Sequence, residues 1–258
     1  MPSIVFYHYL FLILLIISIY FVYIFIYSYG GALAYTRPPP VLTPPFTIQS
    51  STFHPSTTSN LTPIEDMPPL RILITNTYVP KETSKLVGGV RILRDTYPSI
   101  IDGILVSVNG IATQVLSILQ DHAKHLKHIQ HNTSITEDVR TTELNQLNYI
   151  TYNKLTKCLS INQFLLNSIG VGHPVLDKVV NLASQYGFTA KLTGAGGGGC
   201  AITLLPFQNL PGQSTDTVVT TEIETLEQQI STLQQEYKNQ GWDCFETQLG
   251  GTGVLVTQ

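Results

Sequence analysis

A stretch containing five glycines points most directly to chemistry. It runs Lys191-Leu-Thr-Gly-Ala-Gly-Gly-Gly-Gly-Cys200, between two apolar runs typical of strands, 188–192 and 200–205. Glycine costs backbone entropy, so this many glycines indicate either positive φ angles or close approach of the backbone to a ligand or to another segment. A row of N–H groups without side chains suits a phosphate group. The alternative is a flexible hairpin connection, which needs only one or two glycines.

The glycine stretch differs from the common nucleotide-binding motifs. No Lys-Ser or Lys-Thr follows the glycines, as a P-loop requires, and a strand follows them where a Rossmann motif has a helix. The cation nearest in sequence is Lys191. A second candidate site is formed by Lys81 and Thr83, which lie between an earlier strand and a helix start, where an anionic substrate is favoured. A plain N-terminal helix cap is the alternative there.

Several histidines are candidate metal ligands or ligand contacts. His122, His125, His128 and His131 recur every third residue, which spreads them over about half of a helix circumference. No carboxylate or cysteine completes a metal site, so a solvated helix end is predicted. His173 precedes a helix and is predicted to cap or pack its start, with a position near a ligand as the alternative. The sequence contains no nucleophile elbow, Cys-His pair or paired carboxylates near the glycines.

Composition divides the chain into three regions. Residues 4–29 are almost continuously apolar and long enough for a membrane helix, although no cation precedes them. A genuine membrane anchor and a translated non-coding segment are the two alternatives. Residues 36–69 are rich in Pro, Ser and Thr, which predicts a disordered linker. Residues 70–258 are globular. A net charge of −3 gives no basic field for nucleic acid, and three scattered cysteines favour a reducing compartment.

Hydrophobic periodicity predicts how these residues are positioned. The predicted elements are a strand at 71–76, a helical turn between Pro80 and Tyr97, helices around 101–119 and 144–166, a helix from Pro174, strands at 188–192 and 200–205, a helix around 219–237, and strands at 243–249 and 254–257. This order predicts an α+β fold, with helices on one face of an antiparallel, ferredoxin-like sheet.

Several stretches resemble the C-terminal half of the eukaryotic mevalonate kinase family, which belongs to the GHMP kinase superfamily. The resemblance rests on RILITNTYVP at 71–80, LVGGVR at 86–91, GVGHP at 170–174 and the glycine stretch with its following strand, 191–205. It covers residues 70–258 as a GHMP kinase C-terminal domain. It also touches YGGALAY at 29–35, so residues 1–35 would hold a remnant of the family's N-terminal domain.

The resemblance implies a reaction and its site residues. The family transfers the γ-phosphoryl group of Mg-ATP to the 5-hydroxyl of mevalonate, in isoprenoid and sterol biosynthesis in the cytoplasm. It implies that Lys81 and Thr83 lie on the mevalonate side. The residues that it places on the ATP side are Thr193, Gly194, Ala195, Gly196, Gly197, Gly198 and Gly199.

The chain also departs from the family pattern. The family's first motif, its serine-rich ATP loop and its acidic magnesium ligand have no counterpart, and the position of its catalytic aspartate falls at Tyr23. A tyrosine with an ordinary pKa of about 10 is a poor base near neutral pH. We therefore expect an inactive kinase fragment. The alternatives are a membrane-anchored ligand-binding module, attached through residues 4–29, and a split kinase completed by a separate chain. A homodimer is a further open alternative.

Overall fold

The computed structural model of the chain describes residues 22–26, 32–36, 61–64, 67–207 and 217–250, with side chains for 67–207 and 225–250. The elements in chain order are β1 (Val22–Ile26), β2 (Ala32–Thr36), β3 (Leu61–Ile64), β4 (Leu70–Asn76), α1 (Thr83–Thr96), α2 (Pro98–His131), α3 (Glu137–Ser168), α4 (Pro174–Gln185), β5 (Thr189–Leu192), β6 (Cys200–Leu204), α5 (Thr217–Asn239) and β7 (Asp243–Leu249).

The main sheet has four antiparallel strands in the order β5-β6-β4-β7. With α4 between β4 and β5 and α5 between β6 and β7, this is the ferredoxin-like arrangement, and the predicted α+β class is confirmed. At one end of the sheet, Asn76 of β4 pairs with Cys200 of β6 on one side and with Asp243 of β7 on the other. This end of the sheet carries the glycine loop.

The sheet is buried on both faces. Alternate residues of β4 belong to different core clusters because successive side chains of a strand point to opposite faces. Leu73 lies in a cluster with residues of α4 and α5, such as Val179 and Leu233. Ile72 lies in a cluster with residues of α2 and α3, such as Leu159. The helices α4 and α5 thus cover one face as predicted, and the two long helices add a second layer on the other face.

The helix boundaries follow local sequence rules. The turn predicted after Pro80 is a full helix, α1, and Pro98 occupies the first turn of α2, where its missing N–H costs nothing. Thr136 caps α3, since its hydroxyl accepts a hydrogen bond from the N–H of Val139 at 3.5 Å. Gly187 follows α4 with a φ of +79°, a conformation typical of the residue that ends a helix.

The structure corrects the N-terminal predictions in part. A membrane helix over 4–29 is wrong for Val22–Ile26, which forms β1 and pairs with β2. These residues are β-branched or aromatic, and such side chains favour strands. Leu61–Ile64, inside the predicted linker, forms β3 and also pairs with β2. Thr36 at the start of the predicted linker ends β2, and residues 67–69 at its end are also described; the remaining residues of both segments lie outside the described residues, as does the strand predicted at 254–257.

One helix of the described part of the chain, α2, has the length and hydropathy of a membrane span. Its apolar side chains Val108, Val115 and Leu119 are almost completely buried in the protein core. Packing in the core therefore accounts for these buried positions of α2, whereas Ile100 and Val106 of the same helix are exposed.

Candidate functional site

The glycine loop, defined as residues 193–199, connects β5 to β6 in a left-handed backbone conformation. Four of its five glycines have φ angles between +67° and +77°, and Gly198 has a φ of +142°. Thr193 closes the base of the loop, because its N–H and its hydroxyl both donate to the carbonyl of Cys200, at 3.1 Å and 2.9 Å. The Thr193 hydroxyl, which the resemblance implies is a ligand contact, is thus engaged within the loop.

Two neighbouring backbone segments hold the loop in place. The N–H of Gly197 donates to the carbonyl of Val171, and the N–H of Gly199 donates to the carbonyl of Val79, each at 2.9 Å. A Cβ atom at Gly196 would lie 2.0 Å from the Val171 oxygen, and one at Gly198 would lie 2.7 Å from the Val79 oxygen. The glycines are therefore required for backbone packing, and the flexible-hairpin alternative is wrong.

Part of the loop backbone is available to a ligand. Within the described part of the chain, no acceptor binds the N–H groups of Gly194, Ala195 or Gly198. The Nζ atom of Lys81 lies 3.1 Å from the position of a Cβ at Gly194 and 3.3 Å from the corresponding position at Gly199. Unpaired N–H groups beside an ammonium group favour an anion such as a phosphate oxygen.

The structure brings Lys81 to the glycine loop, although the two belong to separate sites in the sequence-based prediction. Thr83 is exposed and opens α1, so it lies on the same segment as Lys81. The plain-cap alternative for Thr83 is wrong, because the N-cap residue of α1 is Glu82 and its side chain makes no capping hydrogen bond.

Lys191, the loop cation suggested by the sequence, has a backbone carbonyl as its hydrogen-bond partner. Its side chain is fully buried, and its Nζ donates to the carbonyl of Leu192 at 2.6 Å. Burial lowers the pKa of Lys191 to about 7, because the charged form loses its hydration. The N–H of Leu192 donates to Oε1 of Gln163 at 2.8 Å, and this hydrogen bond connects α3 to the residue before the loop.

His173 caps α4, as the favoured interpretation predicted. Its Nδ1 accepts a hydrogen bond from the N–H of Val175 at 3.2 Å. Next to it, Asn167 donates to Asp177 at 2.8 Å and accepts from Gln163 at 3.1 Å. This chain of polar contacts joins the end of α3 to α4 and so fixes the turn that offers the Val171 carbonyl to the glycine loop.

The prediction of a solvated histidine group is wrong for His122. This residue is buried, its Nδ1 lies 2.9 Å from the hydroxyl of Thr151, and its ring stacks on Phe207 at a centroid distance of 5.5 Å. Desolvation, with a smaller contribution from His125, lowers the pKa of His122 to about 4. The other three histidines are exposed. No group of three metal-ligating side chains occurs among the residues that the structure describes.

Sequence reasoning missed two residues beside the loop, Tyr78 and Asp243. The Tyr78 hydroxyl donates to the Asp243 carboxylate, and this hydrogen bond raises the pKa of Tyr78. Tyr78 has a φ of +57°, unusual for a residue with a side chain. The sequence contained one indication, because Asn76 two residues earlier favours a turn. The partner, Asp243, lies too far along the chain to be found from a local pattern.

Comparisons with known proteins show which sequences and structures this chain resembles. Residues 150–212 match the family model "GHMP kinases C terminal". The chain is 33% identical over 191 residues to mevalonate kinase of Mus musculus, which covers 74% of the chain and 39% of that protein. It is 30% identical over 229 residues to mevalonate kinase of Candida albicans, which covers 88% of the chain and 41% of that protein.

The chain carries a GHMP kinase C-terminal domain. A solved structure of L. major mevalonate kinase in complex with R-mevalonate supports the fold, with a TM-score of 0.50 and 18% identity over 88% of the chain and 52% of that structure. The chain spans about two fifths of the length of the mevalonate kinases from Mus musculus and Candida albicans. The GHMP match at residues 150–212 includes β5, the glycine loop and β6.

Proposed function

We propose that this chain supplies the part of a mevalonate kinase site that contacts phosphate and mevalonate, and that it does not catalyse phosphoryl transfer by itself. The observation that supports this proposal best is the Lys81 ammonium group beside the unpaired N–H groups of the glycine loop. The relatives that share this domain are mevalonate kinases. By this proposal the substrates are ATP and mevalonate.

Phosphoryl transfer depends mainly on positioning and on stabilisation of negative charge. In the proposed site the N–H groups of Gly194 and Ala195 and the ammonium group of Lys81 hold an anionic oxygen of a substrate, and Thr83 lies on the substrate side of the same segment. ATP supplies the transferred phosphoryl group when it is bound. The described residues include no carboxylate cluster suited to Mg²⁺, so the proposal assigns no role to the metal in this part of the chain.

We infer the absence of activity because the resemblance places a tyrosine at the position of the family's catalytic aspartate. The position that the resemblance gives to the family's aspartate is Tyr23, which lies in β1 opposite Tyr35. The test is an assay of the purified chain with Mg-ATP and mevalonate. We expect no phosphomevalonate above the background without enzyme, and ATP-dependent formation of phosphomevalonate would contradict the proposal.

The anion site can be tested independently of activity. Isothermal titration calorimetry with inorganic pyrophosphate should show binding to the unaltered chain. Lys81→Met should weaken this binding about tenfold, the usual effect of losing a charged hydrogen bond. Lys85→Met is the matched control, because Lys85 is an exposed lysine of α1 and loses the same charge. Equal weakening by both substitutions would show that only net charge matters and would contradict the assigned role of Lys81.

We also propose a cytoplasmic location in preference to a membrane anchor through residues 4–29. The support is that part of this apolar run pairs in a sheet as β1. Extraction of membranes with alkaline carbonate should release the protein into the supernatant. Retention in the membrane pellet would favour the anchored ligand-binding module.

A further inference from the structure

Tyr78 is held in an unfavourable backbone conformation next to the candidate site. It is the single non-glycine residue with a positive φ among those that the structure describes. Such outliers persist only where the surroundings determine them. The N–H of Tyr78 donates to Oδ1 of Asn76 at 3.1 Å, which supports the turn. The side chain is 60% exposed, so core packing does not hold it.

The two neighbours of Tyr78 both bind Gly199 of the glycine loop. The N–H and the hydroxyl of Thr77 donate to the Gly199 carbonyl at 3.0 Å and 2.7 Å, and the N–H of Gly199 donates to the carbonyl of Val79. Lys81 follows on the same segment, with its ammonium group at the loop. The backbone conformation at Tyr78 therefore determines where this segment crosses the loop and where it delivers Lys81.

The Tyr78 side chain has a fixed anchor. Its hydroxyl donates to the carboxylate of Asp243, the first residue of β7. Asp243 is also the pairing partner of Asn76, the last residue of β4. The hydrogen bond thus joins the turn to the first residue of an adjacent strand of the sheet.

We propose that Tyr78 and Asp243 form a latch, defined by the hydrogen bond between their side chains, that holds residues 77–81 against the glycine loop and so positions Lys81 for an anionic ligand. Both are positioning residues, since their role is exerted through Lys81. The effect on ligand affinity rests on the proposed anion site, whereas the effect on the backbone does not.

The backbone effect is tested by hydrogen exchange of the full chain without ligand. In Tyr78→Phe and Asp243→Ala, the amides of Thr77 and Gly199 should exchange about fivefold faster, as expected for losing one hydrogen bond of ordinary strength. The amide of Leu73 in the centre of β4 serves as the internal reference, and Tyr97→Phe is the matched control at another exposed tyrosine. Unchanged exchange at Thr77 and Gly199 would overturn the latch.

The coupling to Lys81 is tested with a double-mutant cycle read by pyrophosphate binding. Tyr78→Phe should weaken binding about fivefold in the unaltered chain and have little effect in a chain that carries Lys81→Met. Equal weakening in both backgrounds would overturn the positioning role. If the unaltered chain does not bind pyrophosphate, the proposed anion site fails, and the hydrogen-exchange result still decides whether the latch exists.

Discussion

His122 links the stability of the protein to pH through one buried side chain. Because the native pKa is about 4 and the unfolded pKa is about 6.5, the unfolded chain binds a proton more readily. The contribution of neutral His122 is therefore fully present above pH 6.5 and is lost as the pH falls from 6.5 to 4. Between pH 7 and pH 5 the loss should be about 2 kcal/mol in the free energy of unfolding.

Replacement of His122 tests this assignment. His122→Phe keeps an aromatic ring that can stack on Phe207 but has no proton to bind. Urea unfolding at pH 7 and pH 5 should show that this variant loses about 2 kcal/mol less than the unaltered chain between the two values. His128→Phe, at an exposed position, should retain the full pH dependence. An unchanged pH dependence in His122→Phe would contradict the assignment.

Gly196 and Gly241 show two different structural reasons for a glycine, namely a positive φ alone and a positive φ combined with a close backbone contact. Their φ angles are +77° and +78°, but a Cβ at Gly196 would lie 2.0 Å from the Val171 oxygen, whereas a Cβ at Gly241 would meet no atom within 4 Å. Gly241→Ala should cost about 1 kcal/mol for the backbone conformation alone. Gly196→Ala should cost about 2–4 kcal/mol, because a backbone oxygen has little room to move. Equal losses in urea unfolding would show that the loop relaxes away from Val171.

The single residues show what the sequence revealed and what it did not. The glycine pattern predicted positive φ and close backbone approach, and the structure confirms both. The predicted exposure of His122 failed because the interpretation followed the three-residue spacing of the histidines. The apolar stripe of α2 contained a better signal. His122 follows Leu119 by three residues and therefore continues the buried face of this helix. The burial of Lys191 was not predicted, because strand alternation places it on the face opposite Ala190 and Leu192, and only the structure shows that this face is also covered.

At the level of secondary structure, Arg71 connects three elements. This buried residue of β4 donates from Nε to Glu246 of β7 at 2.7 Å and from a terminal nitrogen to Glu227 of α5 at 3.0 Å. Burial alone would lower the pKa of Arg71, but the hydrogen bonds to the two carboxylates more than offset it and raise the pKa. Loss of a carboxylate leaves part of a buried charge unpaired, which is costly.

The two carboxylates should differ in importance. Glu246 is 29% exposed and Glu227 is 46% exposed, so water screens Glu227 more strongly. Glu246→Gln should lower the free energy of unfolding by about 1–3 kcal/mol and Glu227→Gln by less than about 1 kcal/mol. Glu143→Gln, at an exposed position of α3, is the control. A larger loss for Glu227→Gln in urea unfolding would contradict this ranking.

The elements from β4 to β7 were largely predictable because their hydrophobic spacing matches their burial. The buried stripe of α2 follows the helical period, and β4 is a short apolar run that is buried on both faces. The predicted membrane helix failed at Val22–Ile26 because an apolar run without polar punctuation has no period, so helix and strand cannot be separated by periodicity. The second helical layer was also missed, since the long helices carry a buried stripe whichever face of the sheet they cover.

For the whole molecule, the core of the C-terminal domain extends at least to Met67, three residues before Leu70, where hydrophobic periodicity begins. Met67 is 6% exposed and belongs to the core cluster of α2 and α3. Its side chain also approaches Gly250, since a Cβ there would lie 3.1 Å from Met67 Cγ. The contact joins the residues before β4 to the residue that follows β7.

This boundary gives a prediction about truncation. A chain of residues 67–258 should fold cooperatively, because it contains the complete four-stranded sheet and both helical layers. A chain of residues 70–258 should be less stable by about 2 kcal/mol, the usual contribution of one buried methionine. Met67→Ala in the longer chain should reproduce most of this loss in urea unfolding. If residues 67–258 fail to unfold cooperatively, then the strands β1 to β3 are required for folding, and the C-terminal domain is not an independent unit of this protein.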